Sequence, residues 1–87
     1  MGFYVYVLRS LRDGKTYTGF AANLGRRLAE HDRGHVKSTR TRRPLKLVYA
    51  EEFASKEEAL ARERFFKTPK GGLAKQRLLV EQRQSGL

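Results

Sequence analysis

The sequence predicts an α+β protein in which a small three-stranded, largely antiparallel sheet is flanked by helices in the order β-β-α-β-α-α. Two observations lead to this prediction. Short apolar segments rich in β-branched and aromatic residues alternate with polar turn signals, and two helical segments begin at recognisable capping residues. A small sheet with helices packed against it is an arrangement that buries the apolar side of every element.

The predicted strands occupy residues 3–9, 16–20 and 46–53. The first reads Phe-Tyr-Val-Tyr-Val-Leu-Arg and is apolar on both alternating faces, which is typical of a strand buried on both sides. Asp13-Gly14-Lys15 is a turn signal that joins the first two strands into a hairpin. The third strand is most apolar in its middle, from Leu47 to Tyr49.

The first predicted helix is capped by Asn23, runs to about residue 33 and is stopped by Gly34. At 100° per residue Arg27 lies on the shoulder of the apolar face, whereas Arg26 points well away from it. That apolar face consists of Leu24, Leu28 and His31.

The second predicted helix opens with a capping box, Ser55 followed by Glu58, and runs to about Lys67. A proline and two glycines then predict a break. They are Pro69, Gly71 and Gly72. A last helix is expected over about residues 73–82.

A chain of 87 residues predicts one domain over residues 1–87. Its 19 Lys and Arg against 9 Asp and Glu give a net charge of +10, so a polyanionic partner is expected. With no cysteine, the sequence excludes disulfides, thiolate metal sites and a cysteine nucleophile. Neither a membrane-spanning run nor a signal-peptide pattern is found, so a cytoplasmic location without membrane contact is the expectation.

Positive charge is concentrated between residues 33 and 50, where no acidic residue occurs. The basic residues there are Arg33, Lys37, Arg40, Arg42, Arg43 and Lys46. Such a segment suits phosphate contacts that carry little sequence information. We predict nucleic-acid contacts from Arg26, Lys37, Arg40, Arg42, Arg43, Lys46 and Lys67.

Several kinds of site are excluded. The sequence has no Cys/His cluster for zinc, no nucleotide-binding glycine pattern and no plausible Ser-His-Asp set. His31 and His35 are four residues apart, but His35 follows Gly34 and is expected outside the helix, so a shared metal is not predicted.

What remains is an ordered set of motifs. Tyr4-Val5-Tyr6 and Tyr17-Thr18-Gly19 lie on the first two strands. Arg27 and His31 follow on the first helix, and Glu63 lies in the middle of the second. In order and spacing, residues 3–67 resemble the GIY-YIG nuclease family, specifically its small stand-alone bacterial members. Tyr4 replaces the first glycine of the family motif, and Thr18 replaces its isoleucine.

The resemblance implies a phosphodiesterase site with one divalent cation, Mg²⁺ or Mn²⁺. Carried over, Tyr6 and Tyr17 are the motif tyrosines, Arg27 binds the phosphate and Glu63 is the metal ligand. His31 is a further candidate as proton carrier or phosphate contact. An arginine and a cation stabilise the negative charge that develops on phosphate, and Mg²⁺ needs only one or two protein carboxylates.

Each site residue also has a structural interpretation. The tyrosines are candidate core aromatics, and His31 a buried histidine whose hydrogen bonds are satisfied. Gly19 either relieves crowding in the strand or lets a phosphate approach the backbone. Glu63 is placed to form an i,i+4 ion pair with Lys67.

The first functional hypothesis is a metal-dependent endonuclease or nicking activity on DNA that is branched, damaged or single-stranded. The second is a non-catalytic module that binds DNA or RNA and keeps the nuclease fold. A third is a subunit whose partner is RNA or a ribosomal protein. The sequence does not decide the oligomeric state.

Overall fold

The computed structural model describes the backbone of residues 2–85 and the side chains of residues 2–80. Within that range the predicted order of elements is confirmed. The strands are β1 (Phe3–Ser10), β2 (Thr16–Ala21) and β3 (Leu45–Phe53), and the helices are α1 (Leu24–Asp32), α2 (Lys56–Phe66) and α3 (Pro69–Ser85). A short 3-10 turn, Arg40–Arg42, interrupts the basic loop between α1 and β3.

The sheet has the order β2-β1-β3, and both pairings are antiparallel. The central strand β1 is buried on both faces, as its unbroken apolar sequence predicted, with Val5, Tyr6 and Val7 all inaccessible to solvent. Its register with β3 shifts between Val7 and Leu8. In this order β2 and β3 are the two edge strands of the sheet.

Each face of the sheet has its own small core. Tyr6 and Leu8 pack with Ala21 on the face that α1 covers through Leu24 and Leu28. On the opposite face a second cluster forms around Val5, Ala59 and Phe66, covered by α2 and α3. The alternation of side chains along β1 thus sends successive residues into two separate clusters.

The predicted caps of α1 and α2 are confirmed. Asn23 Oδ1 accepts a hydrogen bond from the Arg26 backbone N–H at 3.0 Å. At the other end of α1, Gly34 has a φ of 79°, a left-handed conformation that glycine adopts without penalty. Ser55 Oγ accepts from the Glu58 N–H at 3.2 Å, as the capping box predicts, and the Ser55 hydroxyl donates to Glu58 Oε1 at 2.9 Å.

The predicted boundary of α3 at about residue 73 is wrong, because the helix begins at Pro69. Proline is tolerated in a first helical turn, where its missing N–H would have no partner within the helix. Thr68 Oγ1 accepts from the Gly71 N–H at 3.0 Å and so caps the new helix. Gly71 itself packs against the Phe65 carbonyl, where a side chain would collide with backbone. The predicted break is therefore present, at Lys67 and Thr68, but the proline and both glycines lie in the first turn of α3 and not between the helices.

Two further observations complete the fold. None of the helices in residues 2–85 is both long and apolar enough to cross a bilayer. The β1–β2 turn closes at Gly14, whose φ of 76° confirms the predicted turn signal. Lys15 begins the return of the chain into β2.

Candidate active site

A chain of hydrogen bonds runs through the interior on the α1 side of the sheet. The Tyr6 hydroxyl lies 2.8 Å from His31 Nε2, and His31 Nδ1 lies 2.8 Å from Thr39 Oγ1. The three residues are almost inaccessible to solvent, with exposed fractions of 0%, 1% and 0%. The chain therefore links the central strand, α1 and the basic loop, and both ring nitrogens of His31 are satisfied.

Burial determines the protonation states of Tyr6 and His31 in this chain of hydrogen bonds. Loss of hydration raises the pKa of Tyr6 to about 12, although the Arg27 guanidinium acts against the shift. Burial, followed by the positive charge of Arg27, lowers the pKa of His31 below its ordinary value. At neutral pH Tyr6 thus keeps its proton and His31 is neutral, so one ring nitrogen of His31 donates a hydrogen bond and the other accepts one.

Tyr17 and Gly19 complete the strand side of the site. The Tyr17 ring packs edge-on against His31, with centroids 5.2 Å apart, and lies 6.3 Å from the Tyr6 ring. Gly19 stands directly opposite Tyr6 in the β1–β2 register. A Cβ atom at Gly19 would overlap the end of the Tyr6 ring. Relief of crowding, one of the two interpretations of this glycine, therefore applies here.

The two adjacent arginines of α1 differ in the way the helical wheel predicted. The Arg27 side chain is 37% exposed and the Arg26 side chain 78%. Arg27 NH1 lies 3.0 Å from Glu30 Oε1, and Arg26 Nε lies 3.5 Å from the other carboxylate oxygen. A shallow cavity of about 300 Å³ opens beside them at the start of α1. Arg27 thus stands at a solvent-accessible pocket next to the tyrosines.

Glu63 approaches the site from α2. It lies between Ala59 and Phe66 on the side of that helix facing the sheet, and its side chain is 19% exposed. Its negative charge contributes to the raised pKa of Tyr6, so the two groups interact electrostatically. However, α2 packs on the sheet face opposite to α1. The structure therefore brings Tyr6, Tyr17, Arg27 and His31 together on one face and adds Glu63 from the other.

Glu63 also forms the ion pair that its spacing predicted. Lys67 Nζ lies 3.4 Å from Glu63 Oε2, and the lysine side chain is 58% exposed. An ion pair this exposed is weak, and it leaves Oε1 without a hydrogen bond to any side chain among residues 2–80. Those residues contain no group of three or more potential metal ligands. A single carboxylate oxygen with room for water fits a Mg²⁺ ion that keeps most of its hydration shell.

The predicted nucleic-acid contacts fall into two groups. Lys37, Arg40 and Lys46 are exposed on the loop and at the start of β3. Arg42 and Arg43 have structural duties: Arg42 Nε lies 3.5 Å from Asp13 Oδ2, and Arg43 donates to the carbonyls of Arg40 and Asp32 at 2.9 and 3.2 Å. Arg43 is nevertheless exposed, whereas Arg42 is half-buried.

Two partners in the site were missed by sequence reasoning. Glu30 stands three and four residues after the two arginines, a spacing that would have revealed the pairing. Thr39 carries no comparable signal, because it reaches His31 only through the path of the loop. The exclusion of a shared histidine metal site agrees with the structure, since His35 lies beyond α1 and is exposed whereas His31 is buried.

Comparison with known proteins covers the part of the chain in which these site residues lie. The family model described as the GIY-YIG catalytic domain matches residues 2–76. The chain belongs to the GIY-YIG family. This membership confirms the resemblance carried by the tyrosine, arginine and glutamate motifs, and it makes the chain a member of a nuclease family whose substrate is nucleic acid.

Small proteins of the same family lie close in sequence. A UPF0213 protein of Streptococcus pneumoniae is 52% identical over 68 residues, which cover 77% of this chain and 68% of that protein. One from Bacillus licheniformis is 44% identical over 85 residues, covering 97% and 86%. The solution NMR structure of the UPF0213 protein from Bacillus halodurans is 38% identical, with a TM-score of 0.53, covering 93% of this chain and 84% of that one. The similarity extends over two thirds or more of each of these proteins.

Proposed function

We propose that this GIY-YIG protein is a divalent-metal-dependent endonuclease that nicks DNA, with branched, damaged or single-stranded DNA as the preferred forms and RNA as the alternative. The observation that carries the proposal is the convergence of Tyr6, Tyr17, Arg27 and His31 on one face of the sheet, where Arg27 also lines a solvent-accessible pocket. Three separate segments of the sequence meet there, which packing alone does not require.

Arg27 is the residue that binds the scissile phosphate. Its guanidinium is held by Glu30 at 3.0 Å and stays partly exposed, so it is fixed in position before substrate arrives. Tyr6 and Glu30 also raise the pKa of Arg27, so its charge is permanent. A fixed cation stabilises the negative charge that develops on phosphate oxygens without reorganising during the reaction.

Glu63 would hold the divalent cation, Mg²⁺ or Mn²⁺, through its carboxylate. When bound, such a cation supplies Lewis-acid stabilisation of the phosphate and of the leaving oxygen. Lys67 would give up its contact with Glu63 and turn to a neighbouring phosphate, a change that an exposed and weak ion pair permits at little cost.

Tyr17 is the residue proposed to orient the attacking water. It is half-buried beside His31, whereas Tyr6 is fully buried. Because the pKa of Tyr6 is raised to about 12, Tyr6 keeps its proton near neutral pH and does not act as a base. Its part is to hold His31 and the Tyr17 ring in place.

Plasmid nicking tests this proposal. Supercoiled, single-stranded and branched DNA are incubated with the protein, with Mg²⁺, with Mn²⁺ or with a chelator. Glu63→Gln and Arg27→Ala are compared with Glu57→Gln, which removes an exposed carboxylate from the same helix. We expect metal-dependent nicking in the parent and in Glu57→Gln, reduced about 100-fold or more in the other two. Equal cutting by all four proteins would refute the assigned site.

A second function is favoured by one specific observation. Glu63 and Arg27 both already have partners within the chain, at 3.4 and 3.0 Å. A module that binds nucleic acid without cutting it would keep such pairs as ordinary surface contacts. Binding of DNA by all four proteins without metal-dependent nicking in any of them would establish this alternative.

A further inference from the structure

A second cleft lies on the other side of the edge strand β2, between the β1–β2 hairpin and α3. It encloses about 470 Å³. Its lining includes Arg9, Lys15 and Thr16 from the hairpin, and Gly72, Lys75 and Gln76 from α3. Three of these residues are cationic, and the described lining contains no carboxylate. The cleft is therefore an electropositive concavity separate from the pocket beside Arg27.

Lys75 is the most unusual group in this cleft. Its Nζ donates to Thr16 Oγ1 at 3.3 Å and to Thr18 Oγ1 at 3.2 Å, both neutral oxygens. No carboxylate among residues 2–80 lies within ion-pairing distance of it. Burial and then the nearby charge of Lys67 lower the pKa of this half-buried lysine. The fold thus holds an ammonium group that is partly desolvated and has no counter-ion among the side chains of residues 2–80.

This arrangement costs folding free energy, because burying a charge without a compensating charge is unfavourable. Two threonine hydroxyls recover part of the lost hydration, and the ammonium keeps its orientation. Nearby, Arg9 NH1 donates to the Gly14 carbonyl at 2.9 Å, which fixes that guanidinium at the rim. The cations are therefore positioned in advance for an anion that the protein does not itself provide.

The position of the cleft relative to the candidate active site indicates which kind of anion it would bind. Side chains alternate along β2, so Thr16 and Thr18 project from one face of the sheet and Tyr17 from the other. Because β2 is an edge strand, a polyanion that crosses its outer side touches both faces. Lys67 stands between the two regions, paired with Glu63 and close enough to lower the pKa of Lys75.

We propose that the cleft around Lys75 is a second phosphate subsite that binds a backbone phosphate flanking the one to be cleaved. The inference rests on the proposed function, since it assumes a nucleic-acid substrate at the neighbouring site. Lys75 contacts the phosphate directly, with Arg9 and Lys15 at the rim. Contacts of this kind position the strand and carry no sequence information.

Salt-dependent DNA binding tests the subsite. The affinity of Lys75→Met and of the parent for a short duplex is measured by fluorescence anisotropy over a range of salt concentrations, with a chelator present. Losing one phosphate contact is expected to reduce the slope of log affinity against log salt by about 0.9. The matched control is Arg77→Met, which removes a charge from an exposed position on the same helix outside the cleft.

The Arg77→Met control distinguishes the loss of a phosphate contact at Lys75 from the general effect of removing one positive charge. A reduced slope in Lys75→Met alone supports the subsite. An unchanged slope, or equal reductions in the two variants, overturns it. Because binding is measured without metal, a parent that binds DNA and never cuts it would refute the proposed nuclease activity and leave this test intact.

Thermal unfolding and NMR distinguish a loss of DNA binding from a loss of folding in Lys75→Met. If Lys75 serves a ligand, Lys75→Met should unfold at the same temperature as the parent or higher, because an uncompensated charge has been removed. A lower unfolding temperature, with the slope unchanged, identifies a purely structural lysine and overturns the proposal. In the parent protein, an oligonucleotide titration should shift the amide signals of Lys15, Thr16 and Gly72, and unshifted signals at all three would also overturn it.

Discussion

The Tyr6 hydroxyl and His31 Nε2 lie 2.8 Å apart in the interior of the protein, where neither side chain is more than 1% exposed. This hydrogen bond joins the middle of the sheet to the last turn of α1. A second hydrogen bond joins His31 Nδ1 to Thr39 in the basic loop. Two residues of the proposed catalytic site, Tyr6 and His31, are therefore also held by the core.

Removing the Tyr6 hydroxyl should destabilise the fold. In Tyr6→Phe the buried Nε2 atom of His31 loses its partner, and an unsatisfied buried polar group costs about 1–3 kcal/mol. Urea denaturation measures the difference. Tyr4→Phe is the control, because the Tyr4 hydroxyl makes only an exposed contact of 3.3 Å with Glu52. Equal stabilities for the two variants would show that the buried hydrogen bond contributes nothing.

Stability should fall on the acid side of neutrality. The folded state lowers the pKa of His31 from its ordinary 6.5, so below that pH the unfolded chain binds the proton more readily. The free energy of unfolding should be flat at higher pH and decrease as pH drops below 6.5, with a slope of at most about 1.4 kcal/mol per unit from this residue.

Denaturation at several pH values in His31→Gln measures that contribution. In His31→Gln the free energy of unfolding should no longer contain the pH-dependent contribution of His31, whether or not the variant is less stable than the parent. His35→Gln, altered at an exposed histidine, should follow the parent. The assignment fails if His31→Gln and the parent have the same pH dependence between about 5.5 and 7.5, one unit either side of the histidine reference value.

Gly19→Ala should be destabilising. The new Cβ would overlap the Tyr6 ring, which is fully buried and has no room to move away, and overpacking of this kind costs about 1–3 kcal/mol. Gly25→Ala provides the contrast, because it lies within α1 with open space around it and should gain up to about 1 kcal/mol. Thermal or urea unfolding shows whether the two substitutions change the free energy of unfolding in opposite directions. A Gly19→Ala variant as stable as the parent would contradict this packing.

The two adjacent glycines of α3 should respond differently to alanine. At Gly71 a Cβ would collide with the Phe65 carbonyl, whereas at Gly72 the nearest atom is 3.9 Å away. We expect Gly71→Ala to lose more than about 1 kcal/mol and Gly72→Ala to be neutral or stabilising. Circular dichroism during urea unfolding measures both, and similar stabilities would mean that the turn between α2 and α3 relaxes easily.

Exposed basic residues of the loop should contribute equally to binding of different DNA sequences. Lys37→Ala or Arg40→Ala should weaken binding uniformly and lower the salt slope by up to about 0.9 each. Arg43, which donates to two backbone carbonyls, should affect stability as well as binding when replaced. Anisotropy and urea unfolding in parallel separate the two effects, and a sequence-dependent loss at Lys37 would argue for base contacts instead.

Much of the molecule follows from local sequence. Asn23 and the Ser55–Glu58 pair predict where α1 and α2 begin, because capping groups act on backbone N–H groups within three residues. The helical wheel separates Arg27 from Arg26, and alternation along β1 predicts its burial. The sequence determined the order of elements, the family and most of the residues of the candidate site.

Tertiary structure decided the rest, because it depends on groups distant along the chain. Pro69 and Gly71 predict a break by local rules, and only the tertiary structure shows that α3 already begins at Pro69, with Gly71 packed against the Phe65 carbonyl. No spacing rule links His31 to Thr39, since the loop path makes that contact. The uncompensated charge of Lys75 likewise becomes visible only when α3 lies against β2, because burial is a property of packing and not of sequence position.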